Sequence, residues 1–398
     1  MKRLFLILLA SACFASADFA NAVQVQLSDR AGISLITIGA GDAPEELFGH
    51  SAVRVTDPQH NLDISFNYGT FHFDAFFLPK FIYGDLEYYL SAAPYHLTVE
   101  HYHERRRTMK EQKLNLSHSQ KQALYEFLMV NAMPENRYYQ YDFLYDNCST
   151  RIRDAFEVVL GENLRFNSGD ESGRTFRNLI HLYVDHRSFI RLGIDLLLGS
   201  TIDKPATDRE KMFLPDFLMA AFDNATISIE GEQIPLVEST TTLLEIEETD
   251  ITTTVSWASY LTWGLFITGL FFTLYGLKRK RTMDQWFDLP LFGIVGLIGL
   301  LMFFLWFFSL HTETINNLNL FWAWPAHLIL ILVLARRDTP GFYLQCYFYL
   351  TILSCVVILA GWNFWAQELN SAIIPILLLL ILRSAYRVYS KKLTNTDL

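Results

Sequence analysis

Cysteine is scarce in this chain. Its 398 residues hold four, Cys13, Cys148, Cys346 and Cys355. No CxxC pair, HExxH run or carboxylate cluster with ligand spacing occurs, so no metal is expected. No glycine-rich phosphate loop occurs either, and nothing else in the sequence points to a cofactor. Positive charge is also short, with 32 Lys and Arg against 42 Asp and Glu. That balance argues against nucleic acid as a partner. Apolar residues are unevenly spread: residues 23–250 are an ordinary globular mixture, whereas long apolar runs with few charges fill the chain from about residue 255.

The start, "MKRLFLILLASACFASADFANA", has a basic end, a short apolar run and small-residue cleavage sites at 15–17 and 20–22. This predicts a secretory signal peptide over 1–22, since the apolar run is too short for a bilayer anchor. A lipoprotein leader lipidated at Cys13 is the alternative, and Ala10 at its −3 position, where Leu is usual, argues against it. Five segments near 255–277, 289–310, 318–335, 342–362 and 369–386 approach the ~20 residues that cross ~30 Å of hydrocarbon. Basic clusters at 278–281, at Arg336 and Arg337, and at Arg383, Arg387, Lys391 and Lys392 all fall on one side of those spans. The loops "HTETINN" and "AQELN" carry acids and no Lys or Arg. The positive-inside rule makes the basic side cytoplasmic and exports residues 23–250. The expected organisation is a signal peptide (1–22), a periplasmic catalytic domain (23–225), a juxtamembrane segment (226–252), a five-span membrane domain (253–388) and a cytoplasmic tail (389–398).

Cys346 and Cys355, nine residues apart on one expected helix, lie ~13 Å apart along its axis. They cannot pair with each other and read as packing residues. Cys148 is then the one thiol of the exported domain. It lies in "YQYDFLYDNCSTRIRDAFEVVLG", where an extended segment becomes a helix ended by Gly161. A thiolate there faces the positive end of the helix dipole and its free N–H groups, which lower its pKa and can hold an oxyanion. The competing reading is a buried cysteine acting as a small apolar residue. Its polar neighbours Asp146, Asn147, Ser149, Thr150 and Arg151 argue against that.

A nucleophilic cysteine needs a base, usually histidine. His60 falls in a turn, His118 at a helix cap, and His101 and His103 beside "ERRR". His50 opens a β-branched run in "LFGHSAVRV". A hairpin centred near 59–60 sets Gly69 opposite His50 and Asn67 diagonal to it on the same face. Asn67 is the candidate to orient the imidazole, with Asp63 or Tyr68 as alternatives. Elsewhere, 75–91 reads as helical or loop, "YHLTVEHYHERRRTMKEQKLNLS" as one or two strands, and "SHSQKQALYEFLMVNA" as a helix capped by Ser117 or Ser119. Residues 176–200 read as helical and 226–252 as a strand-like patch and linker.

The blocks "FGHSAVRV", "FNYGTF", "PENRYYQYDFLYDNCSTRIRD" and "DKPATDREKMFLPDFL" resemble the periplasmic domain of the Lnb-type lipoprotein N-acyltransferase family. The tail with "HTETINNLNLFWAWPAH" is similar to that family's membrane domain. The resemblance covers nearly the whole mature chain. It implies an α+β papain-like exported domain, circularly permuted and NlpC/P60-like, plus an all-α membrane domain of five transmembrane helices. It implies Cys148 as nucleophile and His50 as base; for Asn67 it supplies a matching motif and no role. The implied reaction moves an acyl chain from a phospholipid, through a thioester on Cys148, to the N-terminal amine of a lipoprotein. The expected location is the bacterial inner membrane, with the catalytic domain in the periplasm and the C-terminus cytoplasmic.

Candidate substrate-binding residues are Arg151, Arg153, Tyr68, Asn147, His311 and Asn317. Arg105–Arg107 are further candidates for a lipid phosphate, and Asn316 and Asn319 for a head group. For each arginine a solvated or internally paired face is the competing reading. Trp322 and Trp324 read as interfacial anchors. Two rival functions stay open: hydrolysis by the same dyad, as a peptidase, amidase or phospholipase, and a non-catalytic membrane scaffold.

Overall fold

The computed structural model describes residues 25–167, 173–246, 256–279, 285–335 and 341–396. The signal peptide, Cys13, Arg281, Arg336 and Arg337 lie outside the described residues. The chain divides into two compact units, a mixed α/β unit at the N-terminal side and a helical one after it.

The first unit is built on a seven-stranded antiparallel sheet. Its strands are β1 (Gly32–Ile38), β2 (His50–Asp57), β3 (Leu62–Phe71), β4 (Glu87–Pro94), β5 (Met109–Leu114), β6 (Tyr138–Gln140) and, far along the chain, β10. A second sheet holds β7 (Leu164–Arg165), β8 (Thr226–Ile229) and β9 (Glu232–Pro235), and β10 spans Val237–Leu244. The large sheet runs β10-β5-β1-β2-β3-β4-β6. Among its helices are α1 (Phe77–Tyr83), α2 (Tyr95–Glu104), α3 (His118–Asn131) and α4 (Cys148–Leu160). In α4, Ile152, Ala155, Phe156 and Leu160 recur at helical spacing, and all are buried. Ile152, Phe156 and Leu160 join Phe66, Tyr125, Leu128 and Phe222 in the core. That stripe presses α4 onto β2 and β3 and fixes where its first residue, Cys148, stands.

The β2–β3 hairpin pairs Val53 with Phe66 and Asp57 with Leu62, the register expected for a turn centred at 59–60. Buried Asp57 closes the turn. It accepts hydrogen bonds from the Ser28 N–H (2.7 Å), the Ser28 hydroxyl (2.6 Å) and the Gln59 N–H (3.0 Å), with His60 Nδ1 at 2.7 Å. Asp57→Ala removes the acceptor that all of these donors share. We expect it to cost about 1–3 kcal/mol, read as a melting midpoint roughly 3–10 °C lower by scanning fluorimetry of the full chain.

Three sequence expectations change. "YHLTVEHYHE" is the helix α2, and only Met109–Leu114 of the following run is a strand. The β-branched content suggested strands, but Tyr95, Val99 and Tyr102 recur at helical spacing and pack on Ile36, Ile38 and Met109. Second, the strand-like part of 226–252 groups with the first unit, which was expected to end at 225: β10 pairs with β5 along its length. Third, residues 175–205 group with the helical unit as α5 (Phe176–Val184) and α6 (Ser188–Leu197). The first unit closes with α7 (Pro215–Asn224). Ser117, not Ser119, caps α3 through a capping box with Gln120.

The second unit contains α8 (Trp257–Arg279), α9 (Gln285–Phe307), α10 (Ala326–Ala335), α11 (Gly341–Ala360) and α12 (Ile374–Thr396). Among the described residues, four apolar helical stretches are long enough to cross a membrane: Trp257–Lys278, Trp286–Phe307, Gly341–Ala360 and Ser371–Tyr389. The third expected segment, 318–335, is not one long helix. A 3₁₀ turn (Leu318–Phe321) precedes the ten-residue α10, with Pro325 between them. Asp288 and Arg383, both fully buried, form an ion pair at 2.6 Å. Within the same unit, Arg177 pairs with Asp195 and Asp203, and His181 bonds Asp195 at 2.8 Å.

Candidate active site around Cys148

Asn147 ends the extended segment and caps α4. Its side-chain oxygen accepts from the Ser149 and Thr150 N–H groups at 2.9 and 3.0 Å, and the Thr150 hydroxyl accepts from the Asn147 N–H in return. Its amide donates to the carbonyls of Phe143 and Phe213. Every polar atom of Asn147 is engaged within the protein, so it builds the helix start and does not bind substrate. "NCST" is a legible capping box, Asn followed three residues on by Thr, and that signal identifies the role. The cap also takes two of the first-turn N–H groups expected to hold an oxyanion. The Cys148 N–H is the first-turn donor it leaves.

Cys148 and His50 come together through β2, β3 and α4. Gly49 has φ +78°, and a Cβ there would lie 2.7 Å from the Ile38 carbonyl oxygen, so only glycine lets the chain turn into β2 with His50 at its head. Across the hairpin, β3 is irregular between Asn67 and Thr70. Gly69, at φ +89°, presents no side chain to the thiol; an added Cβ would stand 3.6 Å from the Cys148 Cβ and 3.9 Å from His50 Cε1. Beneath the pair, the buried hydroxyls of Ser51 and Ser149 bond at 3.0 Å. That link ties the residue after His50 to the residue after Cys148. Sequence reasoning missed both serines; each is the sequence neighbour of a candidate catalytic residue.

Asn67 Oδ1 lies 3.4 Å from His50 Nε2, and its amide donates to the Ser65 hydroxyl at 3.1 Å. It alone of the three candidate orienters is hydrogen-bonded to the imidazole in this way. Asp63 is paired with Arg54 at 2.8 Å. Tyr68 points into the core, edge-on to Tyr139. Burial pushes the Cys148 thiol up, but the charge and hydrogen bond of His50, the Ser51 N–H and the Ser149 hydroxyl together bring it down to about 7. Tyr102 closes another side, its ring centroid 6.3 Å from that of His50. Burial raises its phenol to about 12, so it stays a neutral hydroxyl beside the imidazole.

The remaining candidates sort by what they already touch. Arg151 is ion-paired with Asp146 and lies over the Tyr139 ring at 4.2 Å. With Tyr68, Phe127, Asn131 and Val158 it lines a groove of about 360 Å³. Arg153 is buried, bonded to Asp154 at 2.8 Å and to the Arg209 carbonyl at 2.9 Å; it is a structural residue and not a phosphate ligand. Arg105 is paired with Glu46, and buried Arg107 donates both Nε and Nη2 to the Gly39 carbonyl. Asn317, in the helical unit, is buried and donates to the carbonyls of Leu196 and Leu197. Asn319 donates there too, to the Asp195 carbonyl at 3.0 Å. Both hold α6 in place and neither is presented to a head group. His311 follows α9 and is half-buried, its N–H directed at the Ser309 hydroxyl. Trp322 is 1% exposed and donates to Asn319 Oδ1; it is a core residue, not an interfacial anchor.

A mixed α/β domain with a cysteine–histidine pair, followed by a helical domain with stretches long enough to cross a membrane, defines the class: a membrane-type helical domain joined to a separate thiol-bearing domain. A family model described as the Lnb N-terminal periplasmic domain matches residues 20–181, and one described as the Lnb transmembrane domain matches residues 256–394. The chain belongs to the Lnb family, a bacterial membrane protein with its N-terminal domain exported. Comparison with curated proteins and with solved structures returns no match.

Proposed function

We propose that the protein is a thiol acyltransferase that moves an acyl chain from a phospholipid to the N-terminal amine of a lipoprotein. The observation that carries this reading is the Cys148–His50 pair at the start of α4, with a thiol lowered to about 7, in a chain anchored in the membrane that supplies both lipid substrates. Asn67 stands at His50 Nε2, which leaves Nδ1 to serve the thiol. His50 takes the thiol proton and the thiolate attacks an ester carbonyl of the phospholipid. The negative oxygen that forms is met by the Cys148 N–H. The ester C–O bond breaks, His50 returns the proton to the departing lysophospholipid, and the acyl chain remains as a thioester. The lipoprotein amine then attacks, the C–S bond breaks, and the products are an amide and the free thiol. The chain order of a histidine strand before a cysteine helix supports a permuted papain-like arrangement. The basic clusters that flank the apolar segments support five spans with a cytoplasmic C-terminus.

Acyl-chain trapping tests the reaction. Full-length protein in vesicles with labelled phospholipid and no acceptor is expected to accumulate label on Cys148 that hydroxylamine releases. Added lipoprotein with a free α-amine is expected to chase the label into an amide. A chase into free fatty acid alone, unaffected by acceptor, assigns the site to hydrolysis instead. Absence of label on Cys148, with no labelled fatty acid released, removes acyl transfer and phospholipid hydrolysis alike.

A further inference from the structure

The segment between β3 and β4, "FHFDAFFLPKFIYG", places large apolar side chains on the surface. Phe73 is 82% exposed, Phe76 68%, Leu78 64% and Phe81 47%. They are not loosely scattered: Phe77 stacks with Phe71 at 5.1 Å, contacts Phe73 at 4.8 Å and stacks with Phe81 at 6.1 Å. The two carboxylate and ammonium groups of the segment, Asp74 and Lys80, pair with each other at 3.1 Å. A contiguous aromatic surface with its charges internally neutralised is costly in water and marks a contact face.

What covers it follows from where the segment ends. Residues 82–84 belong to the helical unit. The Tyr83 carbonyl accepts from the Leu310 N–H at 2.8 Å, and a Cβ at Gly84 would lie 3.2 Å from the Leu310 Cβ. Leu310 stands just past the end of the apolar stretch Trp286–Phe307, where Phe307, Phe308 and Leu310 are themselves exposed. The last residue of α1 is therefore bonded at the edge of a membrane-spanning stretch, and α1 is only ~10 Å long. At its other end the segment continues β3, in which Gly69 flanks the thiol and Phe73 follows four residues later, ~13 Å of extended chain.

We propose that residues 73–81 lie in the outer-leaflet interface as an aromatic wedge that presents phospholipid to the thiol site. Aromatic side chains suit this depth, apolar enough for the acyl region and tolerant of the head groups. Insertion stands on the surface and its tether alone; the delivery role rests on the acyl-transfer reading above.

The test places benzoylphenylalanine singly at Phe73, Phe76, Leu78 and, as an exposed position in the β2–β3 turn, Gln59, in the full chain reconstituted in vesicles of labelled phosphatidylethanolamine and phosphatidylglycerol. Photolysis is expected to give lipid adducts at the first three positions at least about tenfold above Gln59. Adducts equal to those at Gln59, or cross-links to protein in place of lipid, overturn the insertion. Cys148→Ala is expected to leave the adducts unchanged, so failure of the chemistry and failure of the wedge are separable. Phe73→Ser/Phe76→Ser/Leu78→Ser, at exposed positions, is expected to slow labelling of Cys148 from bilayer phospholipid at least about tenfold. Iodoacetamide alkylation of Cys148 is expected to stay unchanged, reporting an intact site. Unchanged labelling from phospholipid overturns the delivery role.

Discussion

Cys148→Ala is expected to lower lipoprotein N-acylation at least ~10⁴-fold, the scale of deleting a covalent nucleophile. Alanine keeps the Cβ, and the start of α4 is held by the Asn147–Thr150 capping box and the Ser51–Ser149 bond, none of which uses the sulfur. The loss is therefore expected without loss of fold. Cys148→Ser is expected to be nearly as inactive. A hydroxyl ionises far less readily than a thiol, and an imidazole placed for a thiolate does not make it a comparable nucleophile. The measurement is mass spectrometry of lipoprotein N-termini from cells that depend on this protein for N-acylation. Unchanged N-acylation in either variant removes Cys148 from the chemistry.

The second large effect is on the ionisation of that thiol. Burial alone pushes it up; His50, by charge and by hydrogen bond, is the strongest of the groups that pull it down, ahead of the Ser51 N–H and the Ser149 hydroxyl. His50→Ala removes both of its contributions and leaves the burial, so the pH at which the thiolate forms must rise. Alkylation of Cys148, followed on its own peptide, is expected to be half-maximal near pH 7 in the wild type. In the variant the inflection is expected to move above pH ~9, and the rate at pH 7 to fall about fifty-fold. An inflection that stays near 7 shows that His50 does not set the charge state of the thiol.

Much of the site was legible before any coordinates. The register of β2 and β3 follows from a turn at 59–60 and a side-chain period of two, and that register alone sets Gly69 and Asn67 near His50. The helix start at Cys148 follows from the shift between an irregular segment and a 3.6-residue apolar period. The substrate candidates were less legible. Arg153, Asn147 and Asn317 are polar residues near interesting positions, and a sequence lists polar groups without their partners. In the fold each donates to a backbone carbonyl that is distant in sequence. Trp322 and α2 differ from their sequence readings for a related cause: the apolar clusters they join, with Phe292 and Phe348 for Trp322 and with Ile36 and Met109 for α2, come from other parts of the chain.

The sequence by itself determined the exported thiol, the candidate base, the hairpin that carries it and the apolar stretches of the membrane domain. These depend on local periodicity, on residue chemistry and on charge placed beside apolar runs, all written along one dimension. Only the tertiary structure decided that Ser51 and Ser149 tie the two catalytic elements together, that residues 175–205 belong to the helical unit, and that the aromatic segment after β3 is exposed. Each of those depends on which groups are satisfied or covered by residues remote in sequence, and burial is a property of the folded chain.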